Sequence, residues 1–214
     1  MVKLSKHESG KAQRRRHILS VADRCLDENG ISMRQLAREA GVSITTLYNL
    51  FGSKHNILAS LMEADALEFR QRIKASHHGN ALDKLFFAIG LAAEAFRRDE
   101  VFYRGLFCAA MNSDNRAVTP FYIEQRSSIW HELLQQAVVE RKLSADLNVK
   151  CMAKNIVNLY SGLIHEWMLG ISSAEQMRAQ VGYNLALALL AVARSSSSKR
   201  SLQAHAAKFS ELIN

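Results

Sequence analysis

The chain has 214 residues, 48% of them hydrophobic, with one proline and ten glycines. That composition excludes a collagen-like or proline-rich chain, and the length allows one large core or two modest ones. A formal net charge of +8 favours a polyanionic partner, so the question is where the charge sits.

Lys3, Lys6, Lys11, Arg14, Arg15 and Arg16 open the chain, opposed only by Glu8. Alone they read as a solvated tail or as a basic arm, and the segments that follow favour the arm. Ile18, Ala22, Cys25 and Leu26 repeat at helical steps, predicting a first helix over 11–29 that Asn29-Gly30 ends. Ser32 and Gln35 have capping-box spacing for a second helix. It turns Met33, Leu36, Ala37 and Ala40 inward and Arg34, Arg38 and Glu39 outward. Gly41-Val42-Ser43 is the turn, with Ser43 capping a short third helix over 44–50. Leu47 and Phe51 face inward there, leaving Thr45, Thr46, Tyr48 and Asn49 for contact. Gly52-Ser53 breaks it, and Lys54 opens a long fourth helix ending near His77-His78-Gly79.

Further helices are predicted over 81–98, 101–111 and, after a loop at Ser113-Asp114-Asn115, from the capping Thr119-Pro120 to about Arg141. Two more run over 146–169 and 173–193. The last is apolar nearly all round, so a second subunit is the expected cover for one side, with Ser161, Gly162, Gly182 and Ala186 allowing close approach. The stretch 195–198 with Lys199-Arg200 reads as a flexible linker. Beyond it, Leu202, Ala206, Phe209 and Ile213 mark either a final docked helix or a frayed tail. No run alternates as a strand would, so the fold class is all-α.

Residues 15–62, and the run AGVSITTLYNLFGSKHNIL above all, resemble the DNA-binding domain of the TetR family of bacterial regulators. Ile18, Leu19, Ala22, Gly30, Leu36, Ala37, Thr46, Leu47, Tyr48, Phe51, Ser53, Lys54 and Leu58 are among the matching positions. Three departures stand out. Ile31 alone separates Gly30 from Ser32, where the family carries a longer connection; Thr45 replaces a frequent glycine or alanine, and Leu50 a frequent histidine. The resemblance implies a helix-turn-helix domain over 1–53, a helical ligand-binding and dimerisation domain over 54–194, and a terminal segment over 195–214. It implies a two-fold homodimer on a palindromic operator in double-stranded DNA, acting as a repressor that a small-molecule effector releases. A ligand-independent or architectural DNA-binding protein is the alternative.

The third helix would lie in the major groove, with Thr45, Thr46 and Asn49 reading bases and Ile44 touching a thymine methyl. Phosphates would fall to Ser32, Ser43, Tyr48, Lys54 and the arm around Arg14, Arg15 and Arg16, and Arg34 is a further groove candidate. Phe87, Phe102, Phe107, Met111, Trp130 and Tyr160, with His131 or His165 as a polar handle, are candidates to line an effector cavity. A filled core is the competing reading of the same residues. Their apolar character leans toward a lipophilic effector.

No enzyme, cofactor or metal is expected. His131-Glu132 and His165-Glu166 begin a zinc-protease pattern, but Gln135 and Leu169 stand where the second histidine belongs. Cys25, Cys108 and Cys151 form no CxxC pair and are expected to be free buried thiols of a reducing cytoplasm. No secretory h-region is visible, and the apolar stretch 179–193 falls short of the ~20 residues that span a bilayer. A cytoplasmic protein without a membrane partner is the expectation.

Overall fold

The computed structural model describes residues 6–111 and 118–213. Among these described residues ten helices follow one another: α1 (Lys6–Cys25), α2 (Met33–Glu39), α3 (Ile44–Phe51), α4 (Lys54–Ala75), α5 (Ala81–Arg98), α6 (Glu100–Met111), α7 (Val118–Val139), α8 (Val149–Met168), α9 (Ala174–Leu190) and α10 (Ser196–Ile213). No strand occurs among the described residues. The expected loop at Ser113-Asp114-Asn115 lies outside them, as do Lys3 and the side chains of Lys6, Met111 and Thr119. The helices pack as two compact units, Met1–Asp65 with Asp99–Tyr122 and Ala66–Arg98 with Ile123–Asn214.

In the first unit Ile18, Val21 and Ala22 bury the inner side of α1, and Leu26, Leu36, Leu47, Phe51, Leu58 and Met62 are buried as well. Helix α1 stops at Cys25 rather than at the expected Asn29. A tight turn follows, in which the Asn29 amide donates to Asp27 Oδ1 at 2.8 Å and the Gly30 amide to the Asp27 carbonyl at 2.8 Å. The early stop gives the α1–α2 connection the length that Ile31 alone could not supply, and Ile31 is itself buried at 2% exposure. Gly105 of α6 braces this turn: a Cβ there would fall 2.6 Å from the Asp27 carbonyl oxygen. Arg104 beside it reaches Glu100 at 2.8 Å and Glu28 at 4.0 Å.

In the second unit Leu85, Ile89, Ile129, Leu134, Ala153, Val181 and Leu189 are buried among the centre of the packing. Helix α8 starts at Val149, three residues later than expected, and is capped by Asn148, and α9 is capped by a Ser173–Gln176 capping box. Helix α7 already begins at Val118, so Thr119 stands within its first turn rather than at its cap.

The expected flexible linker at 195–198 is instead the start of α10. The Ser198 amide donates to Ser195 Oγ at 3.0 Å, and Ser198 is buried at 2% exposure. Leu202, Ala206 and Phe209 bury the inner side of α10, while Ile213 stays exposed. Phe209 packs onto Gly182 of α9, where a Cβ would fall 2.5 Å from the ring. Gly182 and Ala186 are therefore buried by their own chain, correcting their expected place in a subunit contact, and α10 covers the side of α9 that they occupy.

All three cysteines are free, and burial pushes the half-buried Cys25 and Cys108 thiols up. Cys151 is exposed on α8, contrary to the expectation of a buried thiol. No helix among the described residues is long and apolar enough to cross a membrane.

Candidate nucleic-acid interface

The α2–α3 turn closes as a Schellman motif. The Val42 amide donates to the Ala37 carbonyl at 3.0 Å and the Gly41 amide to the Arg38 carbonyl at 3.2 Å. That geometry needs the left-handed conformation Gly41 adopts, φ +63. Ser43 then caps α3, accepting from the Thr46 amide at 3.1 Å and pairing with Thr46 Oγ1 at 2.8 Å. Leu47 and Phe51 anchor α3 to the core, which turns its other side to solvent. Ile44 is 40% and Tyr48 49% exposed, with Thr45 and Asn49 exposed between them. Helical spacing makes these four one continuous surface. Thr46 is half-buried and its hydroxyl is held by Ser43, so of the three expected base readers only Thr45 and Asn49 present unengaged side chains.

The basic arm divides. Arg14 and Arg16 are exposed, whereas Arg15 turns back onto α3: its Nη1 donates to the Leu50 carbonyl and its guanidinium lies 4.2 Å from the centre of the Phe51 ring. Arg15 thus positions the C-terminal end of α3. Ser32 accepts from the Gln35 amide at 3.4 Å. Arg34 is exposed and in no ion pair among the described residues, whereas its neighbour Arg38 pairs with Glu39 at 3.0 Å. Lys54 is half-buried at the start of α4, with Nζ lying over Gly30, 3.4 Å from where a Cβ would stand.

Sequence reasoning missed Asn56. Ser53 caps its amide at 3.2 Å, and its Nδ2 donates to the Phe51 carbonyl at 2.6 Å, tying the end of α3 to α4. An asparagine in the first turn of a helix was the available signal. Gly105 gave none, because its partner carbonyl at Asp27 is remote in sequence.

The candidate effector residues are divided between the two units. Phe102 and Phe107 are buried in the first unit, where both flank Tyr103. Phe87, Trp130 and Tyr160 belong to the second, where Trp130 stacks on Tyr160 at 5.8 Å and Phe87 meets His78 at 4.5 Å. His131 and His165 are exposed, so neither is the inward polar handle expected of it. A cleft of about 90 Å³ in the second unit has a different lining, with Arg70, Lys74, Lys84 and Glu132 around a floor of Ile73, Ile129 and Leu133. Arg70 is tied to Glu132 at 3.1 Å and to Ser128 at 2.5 Å.

Residues 18–61 match the family of bacterial regulatory proteins called the tetR family. The chain is similar to the HTH-type transcriptional repressor KstR of Rhodococcus jostii (strain RHA1), at 23% identity over 180 residues that cover 83% of each chain. Among solved structures, the TetR family protein CprB from S. coelicolor A3(2) superposes with a TM-score of 0.61 and 19% identity, covering 92% of this chain and 97% of that one. A gamma-butyrolactone receptor (ArpA-like protein) does so with a TM-score of 0.59 and 16% identity, covering 94% and 98%. At these identities the structural likeness establishes the fold alone.

Proposed function

We propose that this chain, whose residues 18–61 match the tetR family of bacterial regulatory proteins, is a repressor that binds a palindromic operator as a two-fold dimer and leaves it when a small molecule binds. The observation that carries the reading is the surface of Ile44, Thr45, Tyr48 and Asn49, held outward by the buried Leu47 and Phe51. A helix docked by that surface fits the major groove, where base edges are distinguishable.

In this reading Asn49 and Thr45 contact base edges and Ile44 a thymine methyl. Tyr48, Lys54, Arg14 and Arg16 hold phosphates, and Arg34 approaches a groove. Ser32, Ser43 and Thr46 act by fixing helix ends, and Arg15 by fixing α3. The N-terminal 1–53 binds DNA, and 54–194 binds effector and dimerises. The dimer contact would use the sides of α8 and α9 that α10 leaves open. Support comes from Leu187, 44% exposed, and from Gly162, where a Cβ would meet nothing within 4 Å. KstR is a repressor and the ArpA-like protein a receptor for gamma-butyrolactones, which favours ligand-controlled repression here.

Selection of bound sequences from a random duplex pool, at fixed salt, tests the proposal. Enrichment of a palindrome is expected. A pool that stays random while binding fades with salt would overturn operator recognition and leave the architectural reading.

A further inference from the structure

The net positive charge of this chain sits mainly outside the helix-turn-helix unit. Met1–Asp65 with Asp99–Tyr122 holds 12 Lys and Arg against 10 Asp and Glu, whereas Ala66–Arg98 with Ile123–Asn214 holds 16 against 10. Part of the excess is gathered where two loops of the second unit are pinned together. The Ser144 amide donates to the Val192 carbonyl at 2.8 Å and the Arg194 amide to the Lys142 carbonyl at 3.1 Å, with Leu143 and Ala193 forming an antiparallel bridge. This sets Arg141 and Lys142 beside Arg194, and Lys199 and Arg200 follow at the start of α10.

The acids nearby are already engaged. Glu140 accepts from the Ala81 amide at 2.8 Å and from Gln136 Nε2 at 2.9 Å, and Asp146 accepts from the Ser144 hydroxyl at 3.0 Å. None of the five cations is in an ion pair among the described residues. The ends of α7 and α9 account for Arg141 and Arg194, since a helix C-terminus favours cations. They do not account for Lys199 and Arg200. Those two stand at the N-terminal end of α10, which has no acid in its first turn, while its sole acid, Glu211, lies near the opposite end. Both placements oppose the helix dipole. Arg141 moreover holds a left-handed conformation, φ +57, that favours glycine.

We propose that this surface is a second phosphate-binding site, for the backbone of duplex DNA outside the sequence that α3 reads. The exposed groups are lysine, arginine and the serines at 196 and 197, which can grip phosphate without reading bases. Among them is no aromatic side chain to stack a single strand and no amphipathic apolar side to enter a bilayer. Weak affinity suffices, because a protein already on its operator meets neighbouring duplex at high local concentration.

The test compares the full chain with its Arg194→Glu, Lys199→Glu, Arg200→Glu variant, binding a duplex without an operator from about 50 to 200 mM salt. Each phosphate contact contributes about 0.9 to the slope of log affinity against log salt, so the variant should lose about 2–3 from that slope and at least about tenfold in low-salt affinity. Lys199→Glu and Arg200→Glu suit the dipole of α10 while Arg194→Glu opposes that of α9, so the thermal midpoint should change little, which separates lost contact from lost fold. An unchanged slope would overturn the proposal. So would an unchanged slope joined to lost binding of vesicles made of equal parts phosphatidylserine and phosphatidylcholine, which would assign the surface to a membrane. The inference rests on the chain's meeting DNA, and random-pool selection on both proteins keeps the two readings apart. A palindrome enriched by both with no slope difference sinks only the second site. A slope difference without enrichment sinks only operator recognition.

Discussion

Gly105→Ala sets two opposed effects against each other at one atom. Alanine in a helix interior is favoured over glycine by about 1 kcal/mol. At Gly105 the new Cβ would stand 2.6 Å from the Asp27 carbonyl oxygen, 2.9 Å from its carbon and 2.9 Å from Leu26 Cγ. Two of these are backbone atoms that cannot rotate aside, so α6 or the α1–α2 turn must move. Overpacking of this kind costs about 1–3 kcal/mol, leaving a net loss of up to about 2 kcal/mol. For a chain of this size that lowers the thermal midpoint by up to about 4–8 °C. Gly90→Ala in α5 is the control, since its Cβ would meet nothing within 4 Å. It should gain nearly the full 1 kcal/mol, about 2–4 °C. Thermal unfolding followed by circular dichroism reads both, and operator affinity should fall for Gly105→Ala alone. A midpoint that rises for Gly105→Ala as it does for Gly90→Ala would refute the idea that α6 braces the turn.

The DNA-contact roles separate by salt dependence. Arg16→Ala, Lys54→Ala and Tyr48→Phe should weaken operator binding, each cation lowering the salt slope by about one, whereas Arg15→Met should lower affinity with its slope nearly intact; equal slope losses for Arg15 and Arg16 would place Arg15 on phosphate too. Leu187→Glu should convert the dimer to monomer in sedimentation, and an intact dimer would remove α9 from the interface. His205 of α10 stacks on Phe86 at 3.8 Å, 4.0 Å from Asp83, and burial holds its imidazole below the ordinary 6.5 despite that carboxylate, with Lys208 acting in the same direction as burial. The unfolded chain then binds the proton more readily, so stability is full above about pH 6.5 and is lost as pH falls through the lowered value. His205→Gln should flatten that dependence in chemical denaturation, and an unaltered pH profile would clear His205 of it.

Helices with one apolar side and a local stop signal were legible in the sequence. Helix α5 falls on 81–98 as its spacing predicts, and α3 is fixed by Ser43 at one end and Gly52 at the other. The errors came where tertiary contact decides. Helix α1 ends early because the turn at 26–30 is bonded through Asp27 and braced by Gly105, a residue far along the chain. Four consecutive serines look like linker, yet Ser195 can cap while Ser198 enters the packing, and only the apolar residues at 202, 206 and 209 decide between cap and coil. The aromatic residues read as a cavity lining fall in both units and most are buried, as single aromatic residues at helical spacing usually are.

The exposed side of α3 was the most legible part, because burial of Leu47 and Phe51 leaves little freedom for the rest of a helix of 8 residues. It also limits the code. Helix α3 carries no lysine or arginine, so the bidentate guanine contact is unavailable to it, and Asn49 is its one side chain able to fork onto adenine. One such pair discriminates by about 1–3 kcal/mol, which cannot by itself set an operator apart from bulk DNA. Under the proposed function the remainder would come from thymine methyl contact at Ile44, from the second half-site of a dimer and from DNA shape, and affinity from phosphates. The proposed function then makes operator choice depend on half-site symmetry: altering the spacing of two half-sites should cost more than altering a single base within either.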